Sequence, residues 1–133
     1  MLAPARHAAM AGTRIVLPTR TVARGDELRL GRWRLHVAQV EHGHTEGDLV
    51  LWDATHRIVW AGGLVSQDRV PELAQGRLDG WLAALERLQA QRPQHLISTV
   101  WSQAPSREEP PPALAKTRVY LEALREQTLR AMN

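Results

Sequence analysis

The chain lacks cysteine and phenylalanine entirely, and among its 133 residues it has one tyrosine and a single lysine, Lys116. Without cysteine there is neither a disulfide nor a thiolate–zinc site, so any metal would be held by His, Asp or Glu. Without phenylalanine, five tryptophans carry almost all the aromatic bulk. Trp33, Trp52, Trp60, Trp81 and Trp101 are therefore expected in the core, because each has a large area to bury. No apolar run reaches the ~18 residues that a membrane-spanning helix needs. The first 17 residues have basic groups but no continuous apolar stretch, unlike a secretory signal. A cytoplasmic protein with no membrane partner is the expectation.

Lys plus Arg number 17 and Asp plus Glu 14, for a net charge of +3. The sequence pI of 10.5 reflects arginine usage rather than a large positive excess. Arg14, Arg20, Arg24, Arg29, Arg57, Arg77 and Arg118 are scattered along the chain. Nucleic-acid binders concentrate such residues on one face, so no nucleic-acid partner is expected.

The richest chemistry lies in His42-Gly43-His44-Thr45-Glu46-Gly47-Asp48, which places two imidazoles and two carboxylates just before the apolar run Leu49 to Trp52. Elsewhere the pattern is poorer. Ser66, Ser98 and Ser102 stand in no G-x-S-x-G context, so no nucleophile is assigned. Gly62-Gly63 lacks the lysine and helix start of a phosphate loop and reads as a tight turn.

Residues 1–12 are unpatterned, and a domain is expected over 13–133. Thr13 to Leu17 reads as a short β run ended by Pro18. Gly25-Asp26 reads as a turn. Glu27 to Leu30 and Trp33 to Val40 alternate, which predicts strands with Trp33, Leu35, Val37 and Val40 on one face and His36 solvated on the other. Two further strands, Asp48 to Trp52 and Arg57 to Ala61, flank a hairpin loop with His56 exposed at its tip.

Leu78, Trp81, Leu82, Leu85 and Leu88 then recur at helical spacing, with Asp79 at the favourable end of the dipole and Pro93 beyond the stop. His95 to Val100 reads as a last strand and Ser102 to Pro112 as a loop. Lys116 to Met132 reads as an amphipathic helix burying Tyr120, Leu121, Leu124 and Leu129. The fold class expected is α+β, a mostly antiparallel sheet with helices on one face.

Three segments together resemble the second half of a metallo-β-lactamase-fold hydrolase, a resemblance that runs from near Thr13 to the C-terminus. Gly43 to Asp48 is similar to the family's "HTxGD" turn, Ile58 to Val65 to its "vLfaGDlv" strand and turn, and Asp79 to Leu88 to the helix that follows. The resemblance implies an αββα sandwich of which this chain supplies one half. It implies that His44 stands at a zinc-ligand position and Asp48 at an orienting or structural acidic position. His42 is a weaker metal candidate, since the family requires no ligand there.

The departures are equally specific. Gly63 stands where the family's metal-bridging aspartate would be, and Val100 lies in the stretch where its "PGHG" histidine is expected. No "HxHxDH" cluster occurs. A catalytic zinc needs about three protein ligands plus a water, and the metal lowers the pKa of that water. The expectation is a partial, ligand-depleted protein that is inactive alone. The alternatives are a zinc-dependent hydrolase of esters, thioesters or lactones completed by a partner or an N-terminal half, and a non-catalytic interaction module. The helix-free sheet face is expected to be apolar, to include Trp52 and Trp60, and to meet either a second copy or a complementary half-domain.

Overall fold

A computed structural model of the chain describes residues 11–66, 69–98 and 112–132. The elements are β1 (Glu27–Leu30), β2 (Trp33–His42), β3 (Glu46–Asp53), β4 (Ile58–Gly62), α1 (Leu78–Ala90), β5 (His95–Ser98) and α2 (Pro112–Ala131). They form one five-stranded sheet in the order β1-β2-β3-β4-β5. The first four strands are antiparallel neighbours, as short connections allow. Gly31, at φ +59°, makes the two-residue turn that returns β1 into β2, a conformation disfavoured with a side chain. β5 pairs parallel with β4 because α1 carries the chain back across the sheet.

The register sorts the side chains into two rows. Val37, Leu51, Trp60 and Ile97 are successive partners across β2 to β5 and share one face. His36, Trp52, Val59 and Leu96 are likewise partners and share the other. The second face bears the helices and the core. Val40, Val50, Val59 and Ala61 pack there with Trp81, Ala84, Leu85 and Leu88 of α1 and with Leu114 and Leu121 of α2. Trp52 and Leu96 pack against this cluster from its edge. On the opposite face Leu35 and Val37 are buried, Trp33, Leu51 and Trp60 are half-buried, and Leu30, Leu49 and Ile97 are exposed. The sheet thus has one helix-covered face and one apolar face that no helix covers, among the described residues.

Four expectations are corrected. Residues 13–17 form no strand, and Ile15, Val16 and Leu17 are exposed, because the run is not part of the sheet's strand order among the described residues. Val40 lies on the face opposite Leu35 and Val37, because strict alternation separates odd from even positions and β2 runs without a register shift. Trp52 belongs to the helix-covered face and only Trp60 to the open one. Finally, α2 starts at Pro112, a residue suited to a first helical position. Its buried stripe is Ala113, Leu114, Thr117 and Leu121, while Tyr120 and Leu129 are exposed. The stripe is displaced because α2 is held at its first half: the Thr117 hydroxyl lies within hydrogen-bond distance of the Ala113 and Ser66 carbonyls and accepts from the Ser66 amide.

Trp81 is fully buried, whereas Trp33, Trp52 and Trp60 are half-buried. Trp101, Ser102 and Val100 lie outside the described residues, as does the segment 1–10. No helix among the described residues is long and apolar enough to cross a membrane.

Candidate metal-site turn and its surroundings

The strands β2 and β3 converge at the pair His42 and Glu46, leaving Gly43-His44-Thr45 as the turn. Asp48 builds this turn from inside. Its carboxylate accepts from the Thr45 amide at 3.1 Å and from the Thr45 hydroxyl at 2.5 Å. A short acidic side chain that caps nearby backbone donors is a common way to hold a tight turn.

His42 serves a different partner. Its Nε2 lies 2.8 Å from the Gln75 carbonyl, so it donates a proton there and pins the segment before α1 to the end of β2. The Arg77 amide adds a parallel bond, donating to the Gly43 carbonyl at 2.9 Å. Gly80, in the first turn of α1, lies directly against the His42 carbonyl; a Cβ there would sit 2.0 Å from that oxygen. The turn, the pre-helix segment and the start of α1 therefore form one close-packed unit.

His44 projects to the other side of the unit. Its half-buried ring meets Trp81 edge to face, with centroids 5.2 Å apart. Trp81 is fixed in turn by donating from its indole nitrogen to the Leu64 carbonyl at 2.7 Å. The imidazole also covers Gly63, where an added Cβ would lie 2.5 Å from the His44 Nδ1. The Gly62-Gly63 turn, closed by the Leu64 amide on the Ala61 carbonyl, thus gives the ring its seat. Of the residues singled out from sequence, the structure brings His44 and Gly63 into contact. It directs His42 to a backbone carbonyl and Asp48 to Thr45.

Among the described residues, no three His, Cys, Asp or Glu side chains are grouped so as to hold a metal. With His42 and Asp48 bonded as they are, His44 is the one imidazole left facing Gly63. That donor set does not fit a catalytic zinc, which takes about three protein ligands.

A second polar constellation was not anticipated as such. Asp53, at the end of β3, is 1% exposed, and it accepts from the Thr55 and His56 amides and pairs with the His56 Nδ1 at 2.8 Å. His56 is therefore not simply a solvated tip: its ring also lies 4.6 Å from that of Trp33. The D-x-T-H spacing is the signal for this turn, since Asp readily accepts from amides two and three residues on. Burial alone would raise the Asp53 pKa, but the hydrogen bonds and charge of His56 and the Thr55 amide hold it below 3.8 overall. A carboxyl with a depressed folded pKa stabilises the fold above its unfolded value and loses that contribution as pH falls through the folded one. Asp53→Asn is thus expected to be less stable than the wild type at neutral pH, with the gap narrowing below pH 3.8. Urea midpoints at the two conditions check this.

No family model and no curated protein matches the sequence. Solved structures do match its fold. A metallo-beta-lactamase from Pontibacter korlensis superimposes with a TM-score of 0.62 at 22% identity, covering 89% of this chain and 54% of that one. A beta-lactamase domain protein from Burkholderia ambifaria gives 0.70 at 17% identity, covering 96% and 43%. A metallo-beta-lactamase family protein from Thermus thermophilus gives 0.62 at 20% identity, covering 83% and 36%. The chain therefore spans about half, or less, of the structures it resembles. Its five-stranded open sheet with two helices has the fold of one part of a metallo-β-lactamase sandwich.

Proposed function

We propose that this chain is a ligand-depleted half of a metallo-β-lactamase-type fold, with no hydrolytic activity by itself. The observation that carries the reading is the packing around His44. Its ring occupies the space over Gly63 where a side chain at that position would start. The other two candidate groups of the turn are spent on the Gln75 carbonyl and on Thr45. In a zinc hydrolase the metal would supply an activated water as nucleophile, and one imidazole does not hold such a centre.

The first test is zinc content of the purified protein by elemental analysis, beside His44→Ala. The expected result is far less than one zinc per chain in both. Near-stoichiometric zinc that is lost in the variant would overturn the reading.

The open apolar row favours a second reading. Leu51, Trp60 and Ile97, half-buried or exposed, span three strands on a face without helices, and exposed apolar patches mark association surfaces. On this reading the chain is one part of a zinc-dependent hydrolase of esters, thioesters or lactones, completed by a complementary half that brings the remaining ligands. His44 would be a ligand and Asp48 its support, with one metal rather than two because Gly63 has no side chain to bridge. If instead a second copy covers the face, the chain is a non-catalytic interaction module. Sedimentation at increasing concentration separates these: a dimer that Trp60→Glu abolishes supports self-association, and a monomer supports a separate half.

A further inference from the structure

On the helix-covered side, α1 leaves part of β2 uncovered, and two adjoining depressions of about 290 and 320 Å³ run between them. They share Ala38, Gln39, Val40 and Arg87, so they form one groove. Each is at the size of small-molecule sites. Its lining is made largely of short residues, Ala38 on β2 and Gly80, Ala83 and Ala84 on α1, which leaves the space open. Its deeper end reaches Val50, Val59 and Trp52, so it opens onto the core.

Its rim is of another character. Arg87 borders both depressions, one turn after Ala83, and Arg24 stands at the outer one. Among the described residues neither guanidinium forms an ion pair. Gln91 and His36 add polar groups at the mouth, whereas Gln39 and Glu41 line it from odd positions of β2, whose side chains belong to the other face of the sheet. Two arginines above an apolar floor match a ligand with an acidic head and an apolar body, because a guanidinium binds a carboxylate with two parallel hydrogen bonds.

We propose that this groove binds a small amphipathic carboxylate, its apolar body over Ala38 toward Trp52 and its head on Arg87. The outer end of the site adjoins His42, but His44 and Gly63 do not line it, and binding there does not depend on zinc.

The test titrates the full chain with sodium decanoate, below its micelle concentration, and follows backbone amide NMR shifts. Decanol and decyltrimethylammonium serve as neutral and cationic counterparts. Saturable shifts centred on Ala38, Gln39 and Arg87 are expected for decanoate, with weaker binding of the other two. Arg87→Gln should weaken decanoate by about tenfold or more, the value of one hydrogen bond to a charged group. Ala38→Trp should abolish it by filling the groove; if that variant fails to fold, the surface change at Arg87 still decides the matter. Equal binding of the cation, shifts centred elsewhere, or an unchanged affinity in Arg87→Gln would overturn the proposal. So would shifts at these amides that grow with protein concentration alone, since a second copy would then occupy the groove.

Discussion

Trp81→Ala is expected to lower the unfolding free energy by about 3–5 kcal/mol, the range for a fully buried large aromatic. Its side chain is 0% exposed and sits at the centre of the core cluster. Three separate contacts depend on it. The indole nitrogen satisfies the Leu64 carbonyl, the ring supports His44 edge-on, and its outer edge lies against Gly76, where a Cβ would be 2.9 Å away. Removing the ring leaves a cavity, an unpaired carbonyl and an unsupported imidazole together. A domain of this size has roughly 5–15 kcal/mol of stability in all, so the loss is a large fraction of it. Urea unfolding measures the total. Trp81→Phe divides it, since Phe keeps much of the volume and loses the hydrogen bond; it should cost about 1–3 kcal/mol, the penalty for a buried acceptor left unmade. A Trp81→Ala protein as stable as the wild type would show that this region is not packed as described.

The second large effect is at Gly80, where intrinsic helix propensity and tertiary packing give opposite signs. In an exposed helix, replacing Gly with Ala gains about 1 kcal/mol. Here the new Cβ would lie 2.0 Å from the His42 carbonyl oxygen, which is backbone and has no rotamer to escape into. The only relief is to move α1 away from the end of β2. That movement would also strain the Arg77–Gly43 and His42–Gln75 bonds. Overpacking costs about 1–3 kcal/mol and sometimes more, so the net expected for Gly80→Ala is a loss near the top of that range. Urea midpoints decide the sign. A stabilised variant would mean that helix propensity governs and the close approach is absent.

These two residues illustrate how far local pattern reached. The β meander, the first helix and the stop before Pro93 are carried by periodicity, because an element with one buried face repeats its apolar residues at its own spacing. The His42 to Asp48 segment was recognisable as a turn from its composition. Its internal wiring was not, because which carboxylate accepts from which amide depends on how two strands approach. Val40 and Trp52 show the same limit. Both are apolar and in strands, but their face is set by register, and one residue of parity moves a side chain from one side of the sheet to the other. Residues 13–17 have β-like composition and form no strand, since a strand needs a neighbour to bond and composition does not provide one. Tyr120 and Leu129 fit a helical stripe, but α2 is held through Ala113, Leu114 and Thr117, and its later turns extend past the core.

By itself the sequence determined the exclusions and the element types. Absent cysteines rule out thiolate sites, and alternation and 3.6-residue spacing specify strands and helices, because both follow from covalent identity and local geometry alone. Only the tertiary structure decided what the candidate groups do. It placed His44 over Gly63, bound His42 to Gln75 and Asp48 to Thr45, buried Asp53 beneath His56, and opened a groove beside Arg87. The physical reason is that a histidine or carboxylate is defined functionally by its partners, and those partners are distant in the chain until the sheet and its helices bring them together.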